Sequence, residues 1–218
     1  VSDISAIALL GDPVRRSLFE YVAAQQHGVS RSEAARATGV QRTLAAFHLD
    51  RLAAAGLVEV TFSRPAGRAG PGAGRPAKLY LRAVEERQVS VPPRDYRSAG
   101  ELLADVVDVT GAEQELYRSA HTRGAAAGRA AREQAPAAAA AELLLATLSA
   151  RGYRPYRDGA DVRLRNCPFR ALASRHPPLI CGMNHALLQG LLDGVSATGT
   201  QCVLDPRPEE CCVVLKSF

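Results

Sequence analysis

The sequence predicts an α+β chain in three parts: three helices closed by a β-hairpin, a run of further helices, and a small β-β-α-α-β-β domain. Three observations carry this reading. Helix caps and stops recur before residue 57, and alternating apolar residues flank a Gly/Pro/Arg loop after it. Beyond residue 152, short strands and helices are separated by turn residues. A chain of 218 residues has room for one large domain or two small ones, and 47% apolar content supports a packed core. The expected boundaries are 1–83, 84–151 and 152–218.

GDPVRRSLFEYVAA opens a helix with Asp12 as cap and Pro13 at its first position. Val14, Leu18, Tyr21 and Val22 follow at helical spacing. SRSEAARATG, 30–39, places Ser30 and Glu33 as a capping box and ends at Gly39. A third helix, 41–56, runs QRTLAAFHLDRLAAAG, with Ala45, Leu49 and Leu52 on one buried line and Gly56 as its stop. LVEVTF, 57–62, alternates as a strand, the loop SRPAGRAGPGAGRPAK follows, and LYLRA returns as a second strand.

VEERQVSVPPRDYR, 84–97, reads as a linker. Helices are expected over 98–109, with Leu102, Leu103, Val106 and Val107 inward, over 112–135, and over AAAAELLLATLSARG, ending at Gly152. In the second of these Ala120, Gly124, Ala127, Gly128 and Ala131 form a small-residue face. That face suits a homodimer; an intramolecular bundle is the alternative. The last part reads as a hairpin of strands 153–157 and 161–166, a short helix PFRALASRH, a helix 179–194, and a final hairpin of TQCVLD and ECCVVLKS.

Charge is distributed unevenly. Residues 1–83 carry eleven Lys and Arg against six Asp and Glu, residues 84–160 ten against eleven, and residues 161–218 six against five. The basic excess is N-terminal, which points to a polyanion there. A GC-rich coding bias accounts for the preference for Arg over Lys but not for the asymmetry. The opening VSDISAIALLGDPVRR lacks a basic start, a long apolar run and a small-residue cleavage site, so it does not read as a signal peptide. No run of eighteen apolar residues occurs, so no membrane partner is expected and the expected location is the cytoplasm. Five cysteines in a reducing compartment, an odd number, do not read as a disulfide framework.

Helix, short helix, turn, helix and a hairpin with a basic tip is the order of a winged helix-turn-helix. Residues 5–83, and LAAFHLDRLAAAGLVEV above all, resemble bacterial winged-helix regulators of the ArsR/MarR kind. The helix at 41–56 is expected in the major groove of double-stranded DNA. Gln41, Arg42 and Thr43 at its start face solvent, and Ala46, Phe47 and His48 lie further along. Arg42 suits guanine and Gln41 adenine. Phe47 reads as packing or a thymine contact, and His48 as a core-edge or DNA-contacting side chain. Arg64, Arg68, Arg75, Lys78 and Arg82, with no acid among them, make a phosphate or minor-groove wing over 64–82.

The cysteines raise a separate question. Cys167 follows a strand, Cys181 opens the helix 179–194, Cys202 lies in a strand, and Cys211-Cys212 open the last strand. A first-turn position favours a thiolate at Cys181. Neighbours on a strand face opposite ways, so only one of Cys211 and Cys212 should join a shared centre. No C-x₂₋₄-C zinc knuckle occurs. GRPAKLY, NCPFRALASRHPPLICGMN and ECCVVL together resemble the SufR-like iron–sulfur transcriptional regulators, over nearly the whole chain. The resemblance implies a homodimer, a palindromic operator, repression by the loaded form, and a [4Fe-4S] or [2Fe-2S] cluster in the C-terminal domain. By motif its ligands fall on Cys167, Cys181 and Cys211, with Cys212 competing for the third place. The fourth ligand is open among Cys202, His185, Asn184, a backbone group, or none from the protein. The fold class expected is thus α+β, with an N-terminal winged helix-turn-helix, a helical dimerisation segment over 98–151, and a small C-terminal cluster-binding domain. A zinc- or thiol/disulfide-based regulator without iron is the alternative. An enzyme with Cys181 as nucleophile and His176 or His185 as base is not expected, because no third group orients such a pair.

Overall fold

The computed structural model describes residues 2–63, 76–84 and 86–217. The wing residues Arg64, Arg68 and Arg75 lie outside the described residues. The chain forms two units, residues 1–94 and 95–218. The helices expected as a middle segment fall in the second of them.

The first unit has helices α1 (Asp3–Ala8), α2 (Pro13–Ala24), α3 (Arg31–Thr38) and α4 (Arg42–Ala54), the first three started by side-chain caps. Asp12 accepts the Arg15 N–H at 2.9 Å, and Pro13 occupies the first turn of α2. Ser30 and Glu33 form the capping box that starts α3. Gly39 ends α3 with φ +72°, a left-handed conformation in which a Cβ is disfavoured. An antiparallel sheet of β1 (Val29–Ser30), β3 (Ala77–Arg82) and β2 (Val58–Ser63), in that order, closes the unit. Leu18, Val22, Val29, Ala45, Leu49, Leu52 and Tyr80 form its core. Each large aliphatic side chain so buried contributes about 1.5–3 kcal/mol.

A polar contact absent from the sequence reading ties α4 to the hairpin. Asp50 accepts hydrogen bonds from Tyr80 Oη and Lys78 Nζ, each at 2.6 Å. Burial pushes the Asp50 carboxyl up, but these two donors outweigh it and hold it below the usual carboxylate range.

The second unit contains α5 (Tyr96–Thr110), α6 (Glu113–Gln134), α7 (Ala140–Ala150), β4 (Pro155–Asp158), β5 (Asp161–Leu164), α8 (Arg170–Ala173), α9 (Pro177–Gly194), β6 (Thr200–Leu204) and β7 (Val213–Ser217). The expected β-β-α-α-β-β order is present. Its two hairpins join through β5 and β7 into one antiparallel sheet of order β4-β5-β7-β6. Leu148, Tyr153, Leu164, Leu188, Leu191, Val213 and Leu215 are among its core residues.

Two expectations for the helices need correction. The small-residue face of α6 serves its own chain: a Cβ on Gly124 would stand 2.0 Å from the Leu187 carbonyl oxygen of α9, and one on Gly128 2.6 Å from that of Leu191. Conversely, Leu102, Leu103 and Val106 of α5 do not point inward. They are exposed, with Val109 beside them, while Val107 is half-buried. The inward side of α5 is instead Gly100 and Ala104, where a Gly100 Cβ would lie 3.2 Å from Leu172. Amphipathic spacing had identified a single apolar stripe. It cannot say whether the stripe meets the same chain.

Candidate functional site

Two places in the chain gather chemistry. The first is the outer face of α4. Gln41, Arg42 and Thr43 are exposed at its start, and Gln41 makes no capping bond, so its amide is not used by the helix. Ala46 is half-buried. Phe47 is 52% exposed, with the Arg51 guanidinium 5.5 Å from its ring centre, so the packing role does not hold. Leu44 is exposed as well. His48 fails as a DNA contact: only 6% of it is accessible, because it shares the buried face with Ala45, Leu49 and Leu52. Lys78 remains at the surface but is ion-paired with Asp50, so its charge is already partly balanced.

The second place is a group of four thiols in the C-terminal unit. Cys167 follows β5, Cys181 lies on α9, and Cys211 and Cys212 precede β7. The four lie near enough for Cys167 and Cys211, Cys211 and Cys212, and Cys212 and Cys181 to shift one another's acidity. The alternation that set Cys211 against Cys212 does not apply to them. It assumed strand geometry, and β7 begins only at Val213. Backbone bonds set this bend: the Cys211 N–H donates to the Leu164 carbonyl and the Asp205 N–H to that of Cys212. Arg163, 2% exposed and ion-paired with Asp158, Asp205 and Glu210, holds the same loop.

The candidates for a fourth place are occupied otherwise. His185 Nε2 bonds the Cys202 carbonyl oxygen at 3.0 Å. Asn184 is buried, bonded at both ends of its amide, and reaches the Cys211 sulfur at 3.2 Å. Cys202 is buried in the core cluster that also holds Cys211, and its neighbouring charge is Asp193.

The thiols differ in acidity for identifiable reasons. The Cys211 hydrogen bond lowers Cys167 against the effect of burial. The same donor, helped by Cys181, brings Cys212 down to about 6. Cys211, as the shared donor, is pushed up by Cys167 first, then Cys212 and burial. Cys181 is pushed up to about 12 by burial first and by Cys212 and Cys167 after it. The expected thiolate at Cys181 is thus reversed. The helix starts at Pro177, so Cys181 lies beyond the unpaired N–H groups of its first turn, and burial dominates. Burial also pushes Cys202 up to about 12.

Among the described residues, no three His, Cys, Asp or Glu side chains are arranged to hold a metal ion as they stand. The residue types nevertheless suit a soft metal centre: four cysteine sulfurs from three chain segments, Cys211 buried and the other three half-buried. No described helix is long and apolar enough to cross a membrane.

The first place defines a class. Residues 10–61 match the family model described as Helix-turn-helix domain. They span α2, α3, α4 and most of β2, so the exposed start of α4 falls within the matched segment. The match supports an N-terminal DNA-binding domain of the helix-turn-helix type. No curated protein and no solved structure gives a significant match.

The thiol chemistry generates a pH prediction. The thiolate is the reactive form, and it is the form present above the group's pKa. Cys212 labelling by iodoacetamide should therefore rise through a midpoint near pH 6. Cys202, pushed up to about 12, should stay unlabelled across the same range. Peptide mass analysis after timed labelling checks both. A Cys212 midpoint near the ordinary thiol value of about 8.5 would refute the hydrogen-bonded arrangement.

Proposed function

We propose that the chain is a homodimeric transcriptional repressor that binds a palindromic operator through α4 and the wing, and whose C-terminal unit takes an iron–sulfur cluster. The observation that carries the sensor half is the joining of four thiols, Cys167, Cys181, Cys211 and Cys212, in one group on a chain that also carries a helix-turn-helix domain. When bound, a cluster supplies a redox- and iron-sensitive link between chain segments. This chain's residues do the rest. Cys167 and Cys181 bracket α8 and the start of α9, Cys211 and Cys212 end the loop from β6, and Arg163 keeps that loop in place.

The dimer reading rests on α5. One winged helix covers too little DNA for tight specific binding, and a twofold dimer reads both halves of a palindrome. Leu102, Leu103, Val106 and Val109 line one exposed side of α5 and supply an apolar surface for a second copy. Substituting Leu103→Arg together with Val106→Arg should give a folded monomer in sedimentation experiments. An unchanged dimer would move the interface elsewhere.

A second reading is favoured by the pairwise thiol contacts themselves. A two-electron oxidant could join Cys181 to Cys212 or Cys167 to Cys211 as a disulfide, with no iron. Anaerobic purification separates the two. The cluster reading expects brown protein with iron and acid-labile sulfide in similar amounts. Serine at Cys167, Cys181, Cys211 or Cys212 should each abolish stable loading, and Cys202→Ser should retain it. Colourless protein after attempted reconstitution, with disulfides after mild oxidation, would establish the thiol switch instead.

For DNA, Arg42→Ala should lower discrimination between operator and random sequence by about 1–3 kcal/mol, the worth of a bidentate base contact. Equal weakening on both DNAs would make Arg42 a phosphate contact. Competition binding at fixed salt gives the answer.

A further inference from the structure

We propose that Asn184, oriented by Tyr153, is the positioning residue of the thiol site: it fixes the Cys211 sulfur and donates a hydrogen bond to it. The part of this inference that concerns bound metal rests on the cluster reading above; the part that concerns the free thiol does not.

Asn184 lies on α9, one turn beyond Cys181, and is fully buried. An amide in an apolar core is costly unless both its ends are bonded. Both are bonded here. Tyr153 Oη donates to Asn184 Oδ1 at 2.5 Å, and Asn184 Nδ2 donates to Cys211 Sγ at 3.2 Å. Tyr153 is itself 2% exposed, so its hydroxyl has little access to water as an alternative partner.

The order of the relay matters. Because Tyr153 presents an O–H to the amide, the carbonyl end turns to the tyrosine and the amino end turns to the sulfur. Cys211 then meets a donor on one side and the sulfurs of Cys167 and Cys212 on the other. A leucine would fill the same space without any of this. The relay suits a sulfur that carries negative charge, as a ligand sulfur does. Hydrogen bonds to ligand sulfurs are among the influences that set the potential of an iron–sulfur centre. The reduced state carries one more negative charge, so this donor favours reduction.

The test uses the full chain and two variants. Tyr153→Phe keeps the ring and removes only the hydroxyl that orients the amide; Asn184→Leu removes the donor. In metal-free protein at fixed pH, Cys211 should react with iodoacetamide about twofold more slowly in either variant, because losing the donor lowers the thiolate fraction more than it raises the sulfur's nucleophilicity. Cys202 is the internal control and should not change. In protein loaded with iron and sulfide, both variants should show a more negative reduction potential than the parent. An unchanged or faster Cys211 rate, or a parallel fall at Cys202, would reduce Asn184 to a packing residue. Equal potentials in variant and parent would overturn its role toward the bound cluster. If the parent chain takes up no iron and sulfide, the cluster reading falls, while the labelling rates still decide the role of Asn184.

Discussion

The C-terminal unit depends on a close approach of two backbones. α6 and α9 meet where neither helix has a side chain in the way. A Cβ on Gly190 would stand 2.1 Å from the His121 carbonyl oxygen, and one on Gly194 2.3 Å from that of Ala125. Helices usually pack with axes 8–10 Å apart, and only glycine faces permit less. Glycine inside a helix costs about 1 kcal/mol relative to alanine. Several such positions aligned on two facing helices therefore mark a contact that the fold requires. The other sides of α9 are then available to the sheet and to the thiols. Leu188, Leu191 and Leu192 enter the core, while Cys181, Asn184 and His185 face the ends of β5, β6 and β7.

Around that helix, a few buried polar groups bring specificity to a core that apolar residues alone would leave permissive. Arg163 is nearly inaccessible and is surrounded by three carboxylates. A buried ion group of this kind adds little net stability, since removing charges from water offsets most of their attraction. Its effect is geometric. Asp158 belongs to the first hairpin, and Asp205 and Glu210 to the loop of the second, so one guanidinium fixes the two hairpins in relation to each other. Tyr156 Oη adds a bond to Glu210 at 2.6 Å. The loop so held delivers Cys211 and Cys212 to the partners that α9 and the end of β5 provide.

Local chemistry was the most legible part of the sequence. Asp12, Ser30, Glu33 and Gly39 act within three or four residues of the backbone they satisfy, and the structure places each where its residue type implied. The order of elements along the last unit followed from turn residues and alternation in the same way. Long-range choices were less accessible. The stripe of Leu102, Leu103 and Val106 was correctly seen as one face but assigned to the wrong environment. The glycines of α6 were correctly seen as a close contact but given to a second copy. Periodicity carries no information about partners. Asp50 and Tyr153 were missed because an acid on a surface helix and a tyrosine before a strand are common, and their meaning arises from Tyr80 and Asn184, tens of residues away. His48 shows the converse. Its residue type suits both DNA and core, and only the packing of α4 decides.

The segment between Cys167 and Cys181 connects the thiol group to α5. Its middle is held by polar contacts: Arg175 meets Glu101 at 2.6 Å, and His176 meets Asp108 at 2.8 Å and Asp105 at 3.6 Å. Leu172 packs on Gly100 within the same stretch. A change in the spacing of the sulfurs therefore acts on the residues that hold α5, which in the dimer reading is the helix that faces the other subunit. A contact of this kind transmits in both directions. If DNA favours one arrangement of α5, it must favour the matching arrangement of the thiols by the same free energy. The ion pairs are mostly solvent-exposed and individually weak, which suits a connection that has to rearrange. The glycine-packed α6–α9 pair beneath it supplies the rigid frame against which such a rearrangement is measured.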